Sequence, residues 1–117
     1  MQYMILIYSP NDAMDVSPED FAESMPAWEA YGNMLRERNA FVSAAPLAPP
    51  TSATTLRVKD GKTVTLDGPF AETKEWLGGY YIVNAATLDE ALEYAGKCPG
   101  LQMPNAAIEV RPVIDLG

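Results

Sequence analysis

Two short runs, Tyr3–Tyr8 and Gly79–Ala85, are apolar at both parities of an extended chain. In the first, Tyr3, Ile5 and Ile7 point one way and Met4, Leu6 and Tyr8 the other; in the second, Tyr80 and Ile82 oppose Tyr81 and Val83. Strands apolar on both faces belong at the centre of a sheet that is covered on both sides. Only two segments of the chain carry helical periodicity, and two helices cover one face of such a sheet. The second face needs another cover.

The remaining elements follow in order. Ser17-Pro18-Glu19-Asp20 is a helix start, with Ser17 as N-cap, proline at the first helical position and acids in the first turn. Phe21, Met25, Trp28, Gly32 and Leu35 recur at helical spacing and predict a core stripe flanked by Tyr31 and Met34. Pro26 falls inside that stripe and predicts a kink or a two-piece helix. Arg36 and Arg38 suit the C-terminal dipole, and Asn39 suits a left-handed cap. Phe41–Ala45 is the second strand, ended by a proline-rich run from Pro46 to Pro50. Thr54–Lys59 and Lys62–Leu66 flank Asp60-Gly61, a strong hairpin signal. Thr87-Leu-Asp-Glu90 is a capping box for a second helix whose Leu88, Ala91, Leu92 and Ala95 are expected to face the core. The helix stops at Cys98-Pro99-Gly100, and Ala106–Val113 is the last strand, alternating as an edge strand does.

The order strand–helix–strand, hairpin, strand–helix–strand is a ferredoxin-like α+β layout, an antiparallel sheet with both helices on one face, in a single domain spanning residues 1–117. The uncovered face would exceed the apolar patch a monomer tolerates. The expectation is a homodimer closed sheet to sheet, a dimeric α+β barrel.

Composition removes several function classes. The formal net charge is −8, with eight basic residues scattered along the chain, which argues against nucleic acid and anionic membranes as partners. No apolar run approaches the ~20 residues of a membrane span. There is no histidine and one cysteine, Cys98. Imidazole bases, Ser/His/Asp triads and thiolate or imidazole metal sites are therefore excluded, and neither metal nor cofactor is expected. A lone cysteine and no basic leader before Tyr3 fit a cytoplasmic protein.

Chemistry concentrates in Asp67-Gly-Pro-Phe-Ala-Glu-Thr-Lys-Glu75, which packs one Asp, two Glu and one Lys into nine residues before Leu77-Gly-Gly-Tyr-Tyr81. This stretch resembles the DGPF branch of the YCII-related family. The similarity extends to the Tyr3–Tyr8 opening, Trp28 and Tyr31, Thr54–Val58, Asp89-Glu-Ala-Leu92 and Glu109-Val-Arg-Pro-Val113. It implies a dimeric α+β barrel of the ferredoxin-like class, in agreement with the patterning above, and little about function. The His–Asp pair attributed to enzymes of the wider superfamily does not carry over, because this chain has no histidine. What carries over is Asp67 as the acid of the cleft, with Lys74 and Glu75 beside it. That members are often encoded beside extracytoplasmic-function sigma factors implies a regulatory setting.

Two readings of the stretch remain at this stage. Asp67 is either a general base walled in by Phe70, Tyr8 or Trp28, or a carboxylate serving its own turn. Lys74 either stabilises negative charge in the cleft or joins Glu72 and Glu75 in a solvated ion pair. Tyr8, Trp28, Tyr31, Phe70 and Tyr81 are the candidate pocket lining, a small-molecule ligand being the expected occupant. The first reading is a cofactor-independent isomerase or lyase with Asp67, Lys74 and Glu75 as its catalytic group. The second, favoured here, is a non-enzymatic dimer that binds a ligand or partner.

Overall fold

A computed structural model describes residues 1–10, 18–70 and 75–117. Strand β1 (Gln2–Pro10) leads to helix α1 (Pro18–Glu37) and strand β2 (Phe41–Pro46). A 3-10 turn at Pro50–Ser52 precedes the hairpin strands β3 (Thr54–Lys59) and β4 (Lys62–Asp67). Strand β5 (Glu75–Asn84), helix α2 (Leu88–Gly96), a second 3-10 turn (Pro99–Gln102) and strand β6 (Ala107–Pro112) complete the chain.

The main sheet runs β2-β5-β1-β6, with every neighbouring pair antiparallel. This is the ferredoxin-like order, with the doubly apolar strands β1 and β5 at its centre. The hairpin forms a separate two-stranded sheet inserted between β2 and β5. Asp60 (φ 52°) and Gly61 (φ 77°) both lie in the left-handed region, as a two-residue turn matched to strand twist requires.

Both helices lie on the face bearing Tyr3, Ile5 and Ile7. These side chains are buried with Tyr31, Leu35, Val83, Ala91, Tyr94, Ala95 and Cys98 in one core. On the other face Met4 opposes Ile82, Leu6 opposes Tyr80 and Tyr8 opposes Leu77; all six are half-buried. The Cα trace is 20 Å deep at its thinnest, enough for one sheet and one helix layer stacked about 10 Å apart.

The parity of β5 changes at one point. The β1–β5 register shifts between Ile7 and Tyr8, which pair with Gly79 and Leu77 and leave Gly78 as the extra residue of a bulge. A Cβ on Gly78 would stand 3.3 Å from Ser9 Oγ and 3.6 Å from the Trp76 ring. One on Gly79 would stand 3.0 Å from the Ala45 carbonyl oxygen in β2. Both glycines permit close strand approach at this end of the sheet.

The helices depart from their expected faces. α1 is one helix through Pro26 rather than two pieces. Its buried residues begin only at Tyr31, while Phe21 (55% exposed) and Met25 lie outside the core. The apolar stripe therefore continues past the buried stretch of the helix into solvent at its N-terminal end. In α2 the inward residues are Ala91, Tyr94 and Ala95, and Leu88 and Leu92 are exposed. The two helices are tied together through the backbone of α2: the Tyr31 hydroxyl donates to the Tyr94 main-chain carbonyl at 2.8 Å.

The caps are largely as read. Asn39 (φ 57°) ends α1 in a Schellman arrangement: its N–H donates to the Arg36 carbonyl, and that of Ala40 to the Leu35 carbonyl. Thr87 Oγ1 accepts from the Glu90 N–H at 3.2 Å, while the Glu90 carboxylate takes the N–H of Ala86, one residue earlier than a strict capping box. Ser17, the expected N-cap of α1, lies outside the described residues. Among the described residues no helix is long and apolar enough to cross a membrane.

Candidate functional site

The turn after β4 is held by the backbone. Asp67 closes the hairpin ladder opposite Thr54. The Gly68 N–H donates to the Ala53 carbonyl at 2.7 Å, and Thr55 Oγ1 donates to the Gly68 carbonyl at 2.8 Å. Gly68 has φ 102°, a conformation that glycine takes without strain. These bonds fix the base of the hairpin without using the Asp67 side chain. Among the described residues the Asp67 carboxylate is exposed and makes no hydrogen bond or ion pair. The turn does not consume its charge.

Phe70 is 71% exposed and lies under the Arg57 guanidinium, whose carbon is 4.5 Å from the ring centroid. Glu75 is exposed at the end of the β1–β5 ladder, opposite Pro10. Lys74, expected beside it, and Glu72 lie outside the described residues.

The five aromatic residues expected to line one pocket occupy three places. Trp28, Tyr31 and Tyr81 come together under α1, with Trp28 stacked on Tyr81 (centroids 6.1 Å apart, 11° between planes). Tyr31 meets both edge-on, at 6.5 and 5.1 Å, and Phe41 meets Tyr81 at 6.3 Å. This cluster packs against the buried core. Tyr8 is on the opposite face of the sheet, its hydroxyl 3.5 Å from Glu109 Oε1, and Arg111 pairs with the same carboxylate at 3.2 Å. Phe70 is out on the hairpin. One chain thus separates Asp67 and Phe70 from the tyrosines. The walls expected to enclose Asp67 do not enclose it within a single copy.

Burial shapes the titration of the core cluster. It pushes the Cys98 thiol up to about 11, against stabilising backbone hydrogen bonds from Gly100 and Leu101. It also raises the Tyr31 and Tyr81 hydroxyls, with Cys98 adding to both shifts. A thiol this buried and this reluctant to ionise is a core residue rather than a nucleophile. Between α1 and the 3-10 turn that follows α2 a groove of about 420 Å³ is lined by Ala27, Ala30, Tyr31, Met34, Lys97, Pro99 and Gln102.

Three supports were not singled out by the sequence. Trp76 Nε1 donates to the Pro10 carbonyl at 3.1 Å and pins the start of β5 to the end of β1. Thr55 and Arg57 hold Gly68 and Phe70 as described above. The available signal was their parity: both sit on the hairpin face that also carries Leu66.

The fold and the backbone-held turn at Asp67 and Gly68 define a small ferredoxin-like α+β domain with an inserted hairpin that presents a carboxylate to solvent. The chain belongs to the YCII-related domain family, which it matches over residues 1–117. It is 37% identical over 114 residues to the uncharacterized protein R00369 of Rhizobium meliloti (strain 1021), covering 97% of this chain and 92% of that relative.

Proposed function

We propose that this protein, a member of the DGPF branch of its family, is a non-enzymatic cytoplasmic homodimer. It binds a small molecule or a partner in a cleft bordered by Asp67–Glu75, in a regulatory setting of the sigma-factor-linked kind. The observation that carries this reading is the Asp67 carboxylate, held on a backbone-fixed turn and left without a partner among the described residues. An exposed charge on a rigid mount suits recognition of a cationic or hydrogen-bond-donating group. Acid–base catalysis asks instead for a water-excluded site within reach of the substrate proton, and the single chain does not build one around Asp67.

The dimer part of the reading is supported by the six half-buried apolar side chains on the helix-free sheet face. The experiment is a thermal-shift screen of amines, aromatic acids, lactones and phosphorylated metabolites on the wild type and on Asp67→Asn. A ligand that stabilises the wild type and loses at least tenfold affinity in Asp67→Asn supports the cleft. Equal binding by both removes Asp67 from it. Turnover of an enolisable ligand, abolished by Asp67→Asn, would favour the isomerase or lyase reading.

A further inference from the structure

The β3–β4 hairpin has two unlike faces. Residues opposed in an antiparallel ladder share a face, which puts Thr54, Leu56, Val58, Thr63, Thr65 and Asp67 on one side. Apart from Asp67 at the base, that side is uncharged, and Leu56 and Val58 are 66% and 75% exposed. The other side carries Arg57, Lys59 and Lys62, three of the chain's eight basic residues, together with Thr55, Val64 and the exposed Leu66. The hairpin hydrogen-bonds to no strand of the main sheet. A lone two-stranded hairpin is marginal in water, and among the described residues nothing covers its leucine and valine.

The surface area shows the same surplus. A 12.7 kDa monomer exposes roughly 6,200 Å² by the usual scaling, whereas this chain exposes 8132 Å². The difference, roughly 1,900 Å², exceeds the ~800 Å² per partner of a standard interface and matches an obligate dimer. The radius of gyration is 16.1 Å, against about 13 Å for a compact chain of this length. An arm stands away from the body.

We propose that this arm crosses to a second copy of the chain and lays its uncharged face on the copy's helix-free sheet face. The proposal rests on the homodimer reading above and sets the copy's hairpin, rather than its sheet, on that face. The lengths agree: strands of six residues reach about 20 Å, and the outer strands of a four-stranded sheet are about 14 Å apart. The surfaces agree as well. Leu56, Val58 and the threonines would meet Met4, Leu6, Tyr80 and Ile82, an apolar strip bordered by the Glu109–Arg111 ion pair. The basic side stays outward on a molecule of net charge −8, where it offsets repulsion between two acidic copies. Asp67 shares the docking side of the hairpin. It therefore comes to the seam, beside the Tyr8 and Tyr80 hydroxyls of the second copy. The cleft is completed by two chains, which brings Tyr8 to Asp67 while Trp28, Tyr31 and Tyr81 stay under α1 on the other face of the sheet.

The test separates the arm from the dimer. Light scattering of the wild type and of Leu56→Asp/Val58→Asp comes first, with circular dichroism confirming the fold of both. A dimeric wild type whose association weakens at least 100-fold in the double variant supports the arm. A wild type that is monomeric at 10 µM overturns both the arm and the homodimer. A dimer unaffected by the double variant overturns the arm alone. Cross-linking then fixes the direction, because the native Cys98 is buried. A tagged Val58→Cys chain is mixed with an untagged Ile82→Cys chain and treated with a short bis-maleimide. A covalent species containing one of each supports the crossing. Linkage confined to a single chain carrying both substitutions overturns it.

Discussion

Replacing Tyr31 with phenylalanine tests the tie between the two helices. Tyr31 is 4% exposed, and its hydroxyl donates to the Tyr94 carbonyl at 2.8 Å. That carbonyl also accepts the Lys97 N–H at 3.1 Å. Removing the hydroxyl therefore leaves no buried acceptor bare. The loss should be the net worth of one hydrogen bond, about 1 kcal/mol, rather than the larger penalty of an orphaned group. For a chain of 117 residues this corresponds to about 4 °C in Tm. The Trp28 and Tyr81 ring contacts survive in Tyr31→Phe but not in Tyr31→Leu, for which a loss of about 3 kcal/mol is expected. Urea denaturation at one fixed protein concentration is the assay, because the apparent stability of a dimer moves with concentration. A Tyr31→Phe loss above about 3 kcal/mol would refute the reasoning, since it would mean that Lys97 does not satisfy the carbonyl. No loss would mean that the interhelix bond is not formed.

Gly79→Ala should cost about 1–3 kcal/mol, because its Cβ meets the Ala45 carbonyl oxygen and Pro46 Cα, backbone atoms that cannot rotate away. Gly78→Ala, which meets the movable Ser9 hydroxyl first, should cost less; denaturation curves giving the reverse order would contradict this account. Stability should also fall at alkaline pH. The folded chain holds the Cys98 proton up to about 11, against an ordinary 9.0. Above pH 9 the unfolded chain sheds a proton that the folded chain keeps, so about 2–3 kcal/mol is lost by pH 11. Tyr31 and Tyr81, also raised, extend the decline above pH 10. Cys98→Ala should flatten the segment between pH 9 and 10 in a pH series of melts, and an unchanged slope there would remove the thiol as its cause.

Much of the fold was legible because it rests on local rules. The alternation of Tyr3–Tyr8 and Gly79–Ala85, the Asp60-Gly61 turn and the Asn39 cap each have a local cause, and each appears in the structure. The helix faces were harder to read. Phe21 and Met25 continue the apolar stripe of α1 but lie outside the core, and periodicity carries no information about how much of a stripe is covered. Leu88 and Leu92 read as core on hydrophobicity alone. The face actually buried is that of Ala91, Tyr94 and Ala95, where the Tyr94 main-chain carbonyl accepts from Tyr31, a contact between residues 63 positions apart. The candidate site was legible as a motif and not as a place. Asp67 and Phe70 are close to Tyr81 in sequence, yet the turn carries them onto the hairpin while Tyr81 enters the core.

The hairpin excursion opens at one hydrogen-bonded gate. The Leu47 N–H donates to the Gly78 carbonyl at 2.9 Å, where β2 and β5 already lie side by side. The chain leaves the frame after this gate at Leu47, carries β3 and β4, and is back in the frame by Glu75, which pairs with Pro10 of β1. Two antiparallel neighbours joined at such a gate need only a tight turn between them. The excursion is thus a module: a change in its length leaves the register of the four-stranded frame in place.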